Sequence, residues 1–180
     1  IFENNMTLLG ENKNKIKIGN SNDLTLDQKW NDFNVPYLMP TVILNVYANL
    51  DIQAGITLEF PADSELSIKN AGSLKAIGNQ QQPMWRTGTN KTPGFWDGIR
   101  FTGSNKNKMS FVTVEYAGQF STSKNDYTSN ILVAKGELEI SNSIIQNSEG
   151  YGIDAAPNVL LTLSNNTISN WFFIITICNS

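Results

Sequence analysis

The 180-residue sequence contains no histidine. That excludes Ser-His-Asp and Cys-His catalysis, histidine-ligated zinc and a histidine pH switch. Cys178 is the single cysteine, so no disulfide closes within the chain and no cysteine cluster binds metal. Its place near the end suits a buried or inert thiol rather than a nucleophile. Charged residues make up only 16% and the net charge is −3, which is not the footprint of a nucleic-acid binder. No apolar run approaches the roughly 18–20 residues a membrane span needs. No signal peptide is visible, and the opening Ile-Phe-Glu suits a mature or trimmed chain. Helical periodicity is missing throughout.

What is present is a β pattern. Apolar content is 40%, that of a globular chain with one sizeable core. Ile56, Leu58 and Phe60 alternate with Thr57 and Glu59, and Val112, Val114 and Tyr116 alternate with Thr113 and Glu115. Period two marks half-buried strands. Pro61, Gly72, Gly78, Pro83, Gly88, Pro93, Gly118, Gly136 and Pro157 punctuate them.

The strands repeat. "LEISNSIIQN" (138–147) lines up with "LTLSNNTISN" (161–170), pairing Leu138 with Leu161, Ile140 with Leu163, Ile145 with Ile168 and Asn147 with Asn170. "NLDIQAG" aligns with "SLKAIG" when Leu50 meets Leu74. A further shift of about 25, within the solenoid range, sets Leu74 on Ile99, Ala76 on Phe101 and Met84 on Met109. The polar run 119–129 reads as a loop between coils. Short strands at this period without helices predict an all-β, right-handed parallel β-helix of about five coils, three short strands per coil. A β-sandwich is the runner-up, but it does not explain the register. Residues 1–29 are expected to form an N-terminal cap or first strands, 30–170 the coils, and 171–180 an apolar end: a cap, a truncated coil or a self-association surface. Asn147 over Asn170 is expected to form an inward asparagine ladder.

The strings "VPYLMPTVILNVYANLDIQAGITLEF", "SELSIKNAGSLKAIGN", "GFWDGIRF" and "NKMSFVTVEYAG" resemble the right-handed parallel β-helix proteins of the pectin-lyase-like superfamily, in particular a secreted and cell-surface bacterial group of unassigned function. The resemblance spans roughly residues 24–170. It implies a secreted or surface location and a scaffold that hosts enzymes, adhesins and passive stalks alike. Where that group has "P-I-x-F-T", this chain has Pro83-Met84-Trp85-Arg86-Thr87. An arginine thus stands at an inward position, from which it is expected to turn outward.

Candidate sites follow from the outward residues. Asp51, Lys75 and Arg100 are expected in one column, and Glu59, Trp85, Ser110, Glu139 and Thr162 in a second. A third is Thr113/Glu115, Ile144/Gln146 and Thr167/Ser169. Lys75 and Arg100 are the candidate contacts for an acidic sugar, since arginine pairs with carboxylates, and Arg86 is a candidate sugar contact beside Trp85. Trp85 is the candidate stacking platform for a pyranose. Lyases of the resembling scaffold use clustered acids holding calcium with an Arg or Lys base, and its hydrolases use closely placed Asp residues. Here the acids are dispersed and no Asp-x-Asp or Asp-Asp occurs. The weak catalytic set is Asp97, Arg100 and Glu115, with no metal or cofactor expected. The sequons at Asn5, Asn90 and Asn165 match chance in an Asn-rich chain.

The expected function is an extracellular or surface-displayed module that binds carbohydrate or serves as an adhesion or structural scaffold, without catalysis. Polysaccharide is the candidate partner, and neither nucleic acid nor a membrane span is expected. The alternative is a polysaccharide-degrading enzyme, lyase or glycoside hydrolase, using outward Arg and Lys. Ice binding is a minor alternative, since the Thr residues are too scattered for a flat array. In "GFWDGIRF", Trp96 is expected to plug a coil end and Gly98 to break the alternation. Far-UV circular dichroism should show a β spectrum, and substantial helix there would sink the solenoid.

Overall fold

The computed structural model describes residues 14–19, 22–119 and 128–169. The expected end cap 171–180, Asn170, Cys178 and most of the 119–129 loop lie outside these residues. The strands run in triplets. The first turn holds β1 (Ile16–Lys17), β2 (Asp23–Leu24) and β3 (Gln28–Trp30), and the second β4 (Tyr37–Leu38), β5 (Ile43–Val46) and β6 (Asn49–Ile52). The third holds β7 (Thr57–Phe60), β8 (Glu65–Ile68) and β9 (Ser73–Ile77), and the fourth β10 (Met84–Gly88), β11 (Gly98–Phe101) and β12 (Lys106–Ser110). The fifth holds β13 (Val112–Glu115), β14 (Ser129–Val133) and β15 (Glu137–Ser141), and the sixth β16 (Ile144–Gln146), β17 (Tyr151–Ala155) and β18 (Leu160–Ser164). β19 (Thr167–Ser169) opens a further turn.

Each strand pairs in parallel with its equivalent one turn away. The result is three all-parallel sheets: β1-β4-β7-β10-β13-β16-β19, β2-β5-β8-β11-β14-β17 and β3-β6-β9-β12-β15-β18. This is a right-handed parallel β-helix with three strands per coil. It has six full turns among the described residues, because 16–30 already supply strands to all three sheets.

Alternation sends one side of every strand into a common lumen. In the second sheet Leu44/Val46, Leu66/Ile68, Ile99/Phe101, Ile131/Val133 and Ile153/Ala155 stack in register, all buried. In the third, Leu50 lies under Leu74 and Ile52 under Ala76. Leu138 lies under Leu161 and Ile140 under Leu163, as the repeat predicts. The shift of 25 fails in the middle of the chain. Ala76 pairs with Met109, Met84 with Val112, and Ile99 with Leu66 and Ile131. The loop over 89–97 and the longer one after Tyr116 stretch the interval between equivalent residues to 33 and 31, against 24 and 23 in shorter turns. Counting 25 from the third sheet therefore lands on the second.

Corners are set by left-handed residues. Phe111, Asn142 and Asn165 have φ of 52°, 51° and 54° and turn the third sheet into the first in three successive turns. Asn147 has φ 53° and is likewise a corner residue; its expected ladder partner, Asn170, lies outside the described residues. Three other asparagines tie turns together. Asn107 sits in the Leu50–Leu74–Leu138 column. Its Oδ1 accepts from Leu74 N (2.8 Å), and its Nδ2 donates to Glu137 O (3.1 Å). Asn130 accepts from Ala117 N (3.0 Å) and donates to Gln146 O (2.8 Å). Asn166 accepts from Ser143 N (2.9 Å), and Ser143 Oγ accepts from Val112 N (3.1 Å). Each satisfies backbone groups that the lumen hides from water.

"GFWDGIRF" forms one such corner. Trp96 is fully buried. Gly88 holds an inward slot in register with Phe60, and a Cβ on it would lie 3.4 Å from the Trp96 ring. The indole fills that slot, stacking on Phe60 with centroids 3.9 Å apart. Its Nε1 donates to Glu115 O at 2.9 Å. Gly98 starts β11 with φ 128°, and a Cβ there would fall 2.7 Å from the Ser129 carbonyl oxygen. Only glycine fits. Trp96→Ala should cost about 3–5 kcal/mol, measured by denaturant unfolding. An unchanged midpoint would refute the plug.

Candidate functional site

The candidate residues occupy three outer faces and the lumen. On the third sheet one outward column runs Lys29, Asp51, Lys75, Lys108, Glu139, Thr162. Lys75 Nζ lies 3.5 Å from Asp51, and Lys108 Nζ 2.7 Å from Glu139. This is a charge ladder whose solvent-exposed pairs contribute little to stability. Arg100 does not belong to it, contrary to the period-25 expectation.

Arg100 lies on the second sheet, between Ser67 and Leu132, with Asp154 beyond. Glu65 pairs in register with Gly98, which has no side chain to cover it. Arg100 leans into that space, and its Nε meets Glu65 Oε2 at 2.8 Å. Glu65 is buried, so the pair is shielded from salt. The guanidinium anchors a carboxylate of its own chain. Asp154 is also buried, and its Oδ2 has no hydrogen-bond partner. Burial raises its carboxyl above the ordinary value, opposed by a hydrogen bond from the Ala155 backbone.

The first sheet carries two outward columns. One is Thr57, Trp85, Thr113, Ile144, Thr167 and the other Glu59, Thr87, Glu115, Gln146, Ser169. The pairings of Thr113/Glu115, Ile144/Gln146 and Thr167/Ser169 are those the sequence predicts. The expected Glu59–Trp85–Ser110–Glu139–Thr162 column is not formed: Glu59 and Trp85 are in adjacent columns of this sheet, and Ser110 is on the third. Trp85 points outward and is 39% exposed. Glu115 is nearly buried, accepting from Thr87 Oγ1 and Gln146 Nε2, each at 2.8 Å. Lys91 reaches in from the 89–97 loop, donating to Thr87 Oγ1 and lying 5.5 Å from the Tyr116 ring centroid.

Arg86 is the largest departure. Alternation keeps it inward, in register with Leu58 and Val114, and it is fully buried. Turning it outward would send Trp85 and Thr87 into the lumen. It therefore does not stand beside Trp85 on the outer face. Burial lowers its pKa to about 9, so it keeps its charge at neutral pH.

The structure thus does not gather Lys75, Trp85, Arg86 and Arg100, nor Asp97, Arg100 and Glu115, into one place. Asp97 lies in the corner before β11, Arg100 on the second sheet and Glu115 on the first. Among the described residues no group of three or more His, Cys, Asp or Glu could hold a metal ion, and no helix is long and apolar enough to cross a membrane. Among the described residues, the surface that joins an exposed aromatic, Trp85, to a polar row is the first sheet. The row was visible as period-two residues. Its alignment with Trp85 was hidden by the unequal turn lengths.

Asp154 gives a pH test. Its folded pKa lies above its unfolded value, so its contribution is favourable below the ordinary carboxylate range and is lost as pH rises through the folded value. Asp154→Asn should raise Tm at neutral pH and lose that advantage in acid. Parallel Tm curves for the two proteins across this range would contradict it.

No family model matches the chain, and neither a curated protein nor a solved structure matches it.

Proposed function

We infer that the protein is a non-catalytic carbohydrate-binding module, extracellular or displayed at a cell surface, whose binding face is the outer side of the first sheet. The observation that carries this reading is Trp85. It stands exposed on a parallel sheet, between Thr57 and Thr113. An indole face covers the apolar face of a pyranose. Beside it runs a polar row, Glu59, Thr87, Glu115, Gln146 and Ser169, at the strand spacing of about 4.8 Å; Thr87 and Glu115 are buried and bond to each other, so Glu59, Gln146 and Ser169 are the members that reach solvent. Such a row suits an extended polymer laid along the solenoid axis. Kinship with the pectin-lyase-like superfamily, proposed on the sequence motifs, is compatible with a binding or an enzymatic role.

Catalysis fits less well. Glu115 is engaged by Thr87 and Gln146, and Arg100 by Glu65. A lyase would need a free base beside clustered acids.

A glycan array with neutral and acidic polysaccharides tests the reading. Binding should appear and fall at least about tenfold in Trp85→Ala, one lost stacking contact, with Tm unchanged. A blank array would leave only a structural spacer. Unsaturated-product absorbance with acidic polysaccharide and calcium, abolished in Arg100→Ala, would favour the lyase instead.

A further inference from the structure

We propose that the solenoid lumen holds a site for a small monovalent inorganic anion of the halide class, anchored by the Arg86 guanidinium. Arg86 is 0% exposed. Its Nη1 donates to Ile56 O (3.3 Å) and Trp85 O (3.0 Å). Its Nε and Nη2 are inaccessible to solvent and have no hydrogen-bond partner. A guanidinium carries five N–H donors and no acceptor, so donors on two nitrogens stay unanswered in the interior.

Strand alternation explains why no carboxylate answers them. Glu59 and Glu115 lie on the two strands flanking β10, each beside an inward neighbour of Arg86. Both therefore point to the opposite side of the sheet. There Glu59 pairs with Lys15, and Glu115 with Thr87 and Gln146. Leu58 and Val114 stack directly against Arg86 and offer no acceptor.

A desolvated cation without a counter-charge is among the costliest groups a fold can contain. Water would accept the hydrogen bonds but would not cancel the charge. One positive charge calls for one negative charge. Chloride or bromide is compact enough for a closed lumen and gives up its hydration more readily than sulfate or phosphate. The site is independent of the Trp85 face, which lies on the other side of the same strand.

Melting the full chain in chloride, bromide and gluconate salts at one ionic strength tests this. Tm should be several degrees higher in either halide than in gluconate, and should rise with halide concentration, as for a ligand that binds only the folded state. In Arg86→Met that difference should vanish. Equal Tm in all three salts overturns the proposal, and so does a halide effect that survives in Arg86→Met. Should Arg86→Met not fold, crystals of the unaltered protein grown in bromide decide. An anomalous peak within hydrogen-bond reach of Nε or Nη2 supports the site, and its absence overturns it.

Discussion

Parallel pairing between one turn and the next is the constraint on which the rest of the molecule depends. A ladder in register cannot slip by one residue without exchanging the inner and outer sides of a strand. Here every full turn carries three such ladders, so a slip in one would have to be matched in the others. This explains why Arg86 stays inside. Its neighbours Met84 and Trp85 are fixed by the same β10 ladders, and relieving one misplaced charge would misplace the whole strand. The fold keeps a local fault to preserve a global register.

The corners solve the complementary problem. A solenoid must bend its backbone three times per turn, and each bend leaves N–H and C=O groups facing a space that water does not enter. Left-handed residues make the bend, while Asn107, Asn130, Ser143 and Asn166 supply the missing partners. Part of the high Asn content follows from these two jobs. Asn tolerates positive φ better than most residues, and its amide both donates and accepts.

Much of the fold was legible in the sequence because short corners keep the period near 23 or 24. Leu50 over Leu74 and Leu138 over Leu161 were readable for that reason. The middle of the chain was not. Ile99 looks the same whether it continues the third sheet or the second, since apolar alternation records only inside and outside. Insertions at the corners broke the count without breaking the pattern. The outer columns are the least legible part, because only the count of residues between turns places Trp85 and Arg100 in them. Arg86 is hard to place from sequence for another reason: a charge is expected in water, whereas alternation puts it in the lumen. Trp96 and Gly98 were readable locally, since the three-residue step from Trp96 to Ile99 itself reports the break.

Stacked repeats usually couple only to their nearest neighbours, so they can fray turn by turn. The Trp96 indole changes that. It belongs to the fourth turn, stacks on Phe60 of the third and donates to the Glu115 carbonyl of the fifth. One side chain thus fastens three consecutive turns like a rivet through plates. Between Phe60 and Glu115 the solenoid ceases to be a string of separable links and opens or closes as a block. The 89–97 loop that delivers the indole belongs to that block through Gly94 and Phe95, whose amides bond to Ala117 and Tyr116 of the next turn.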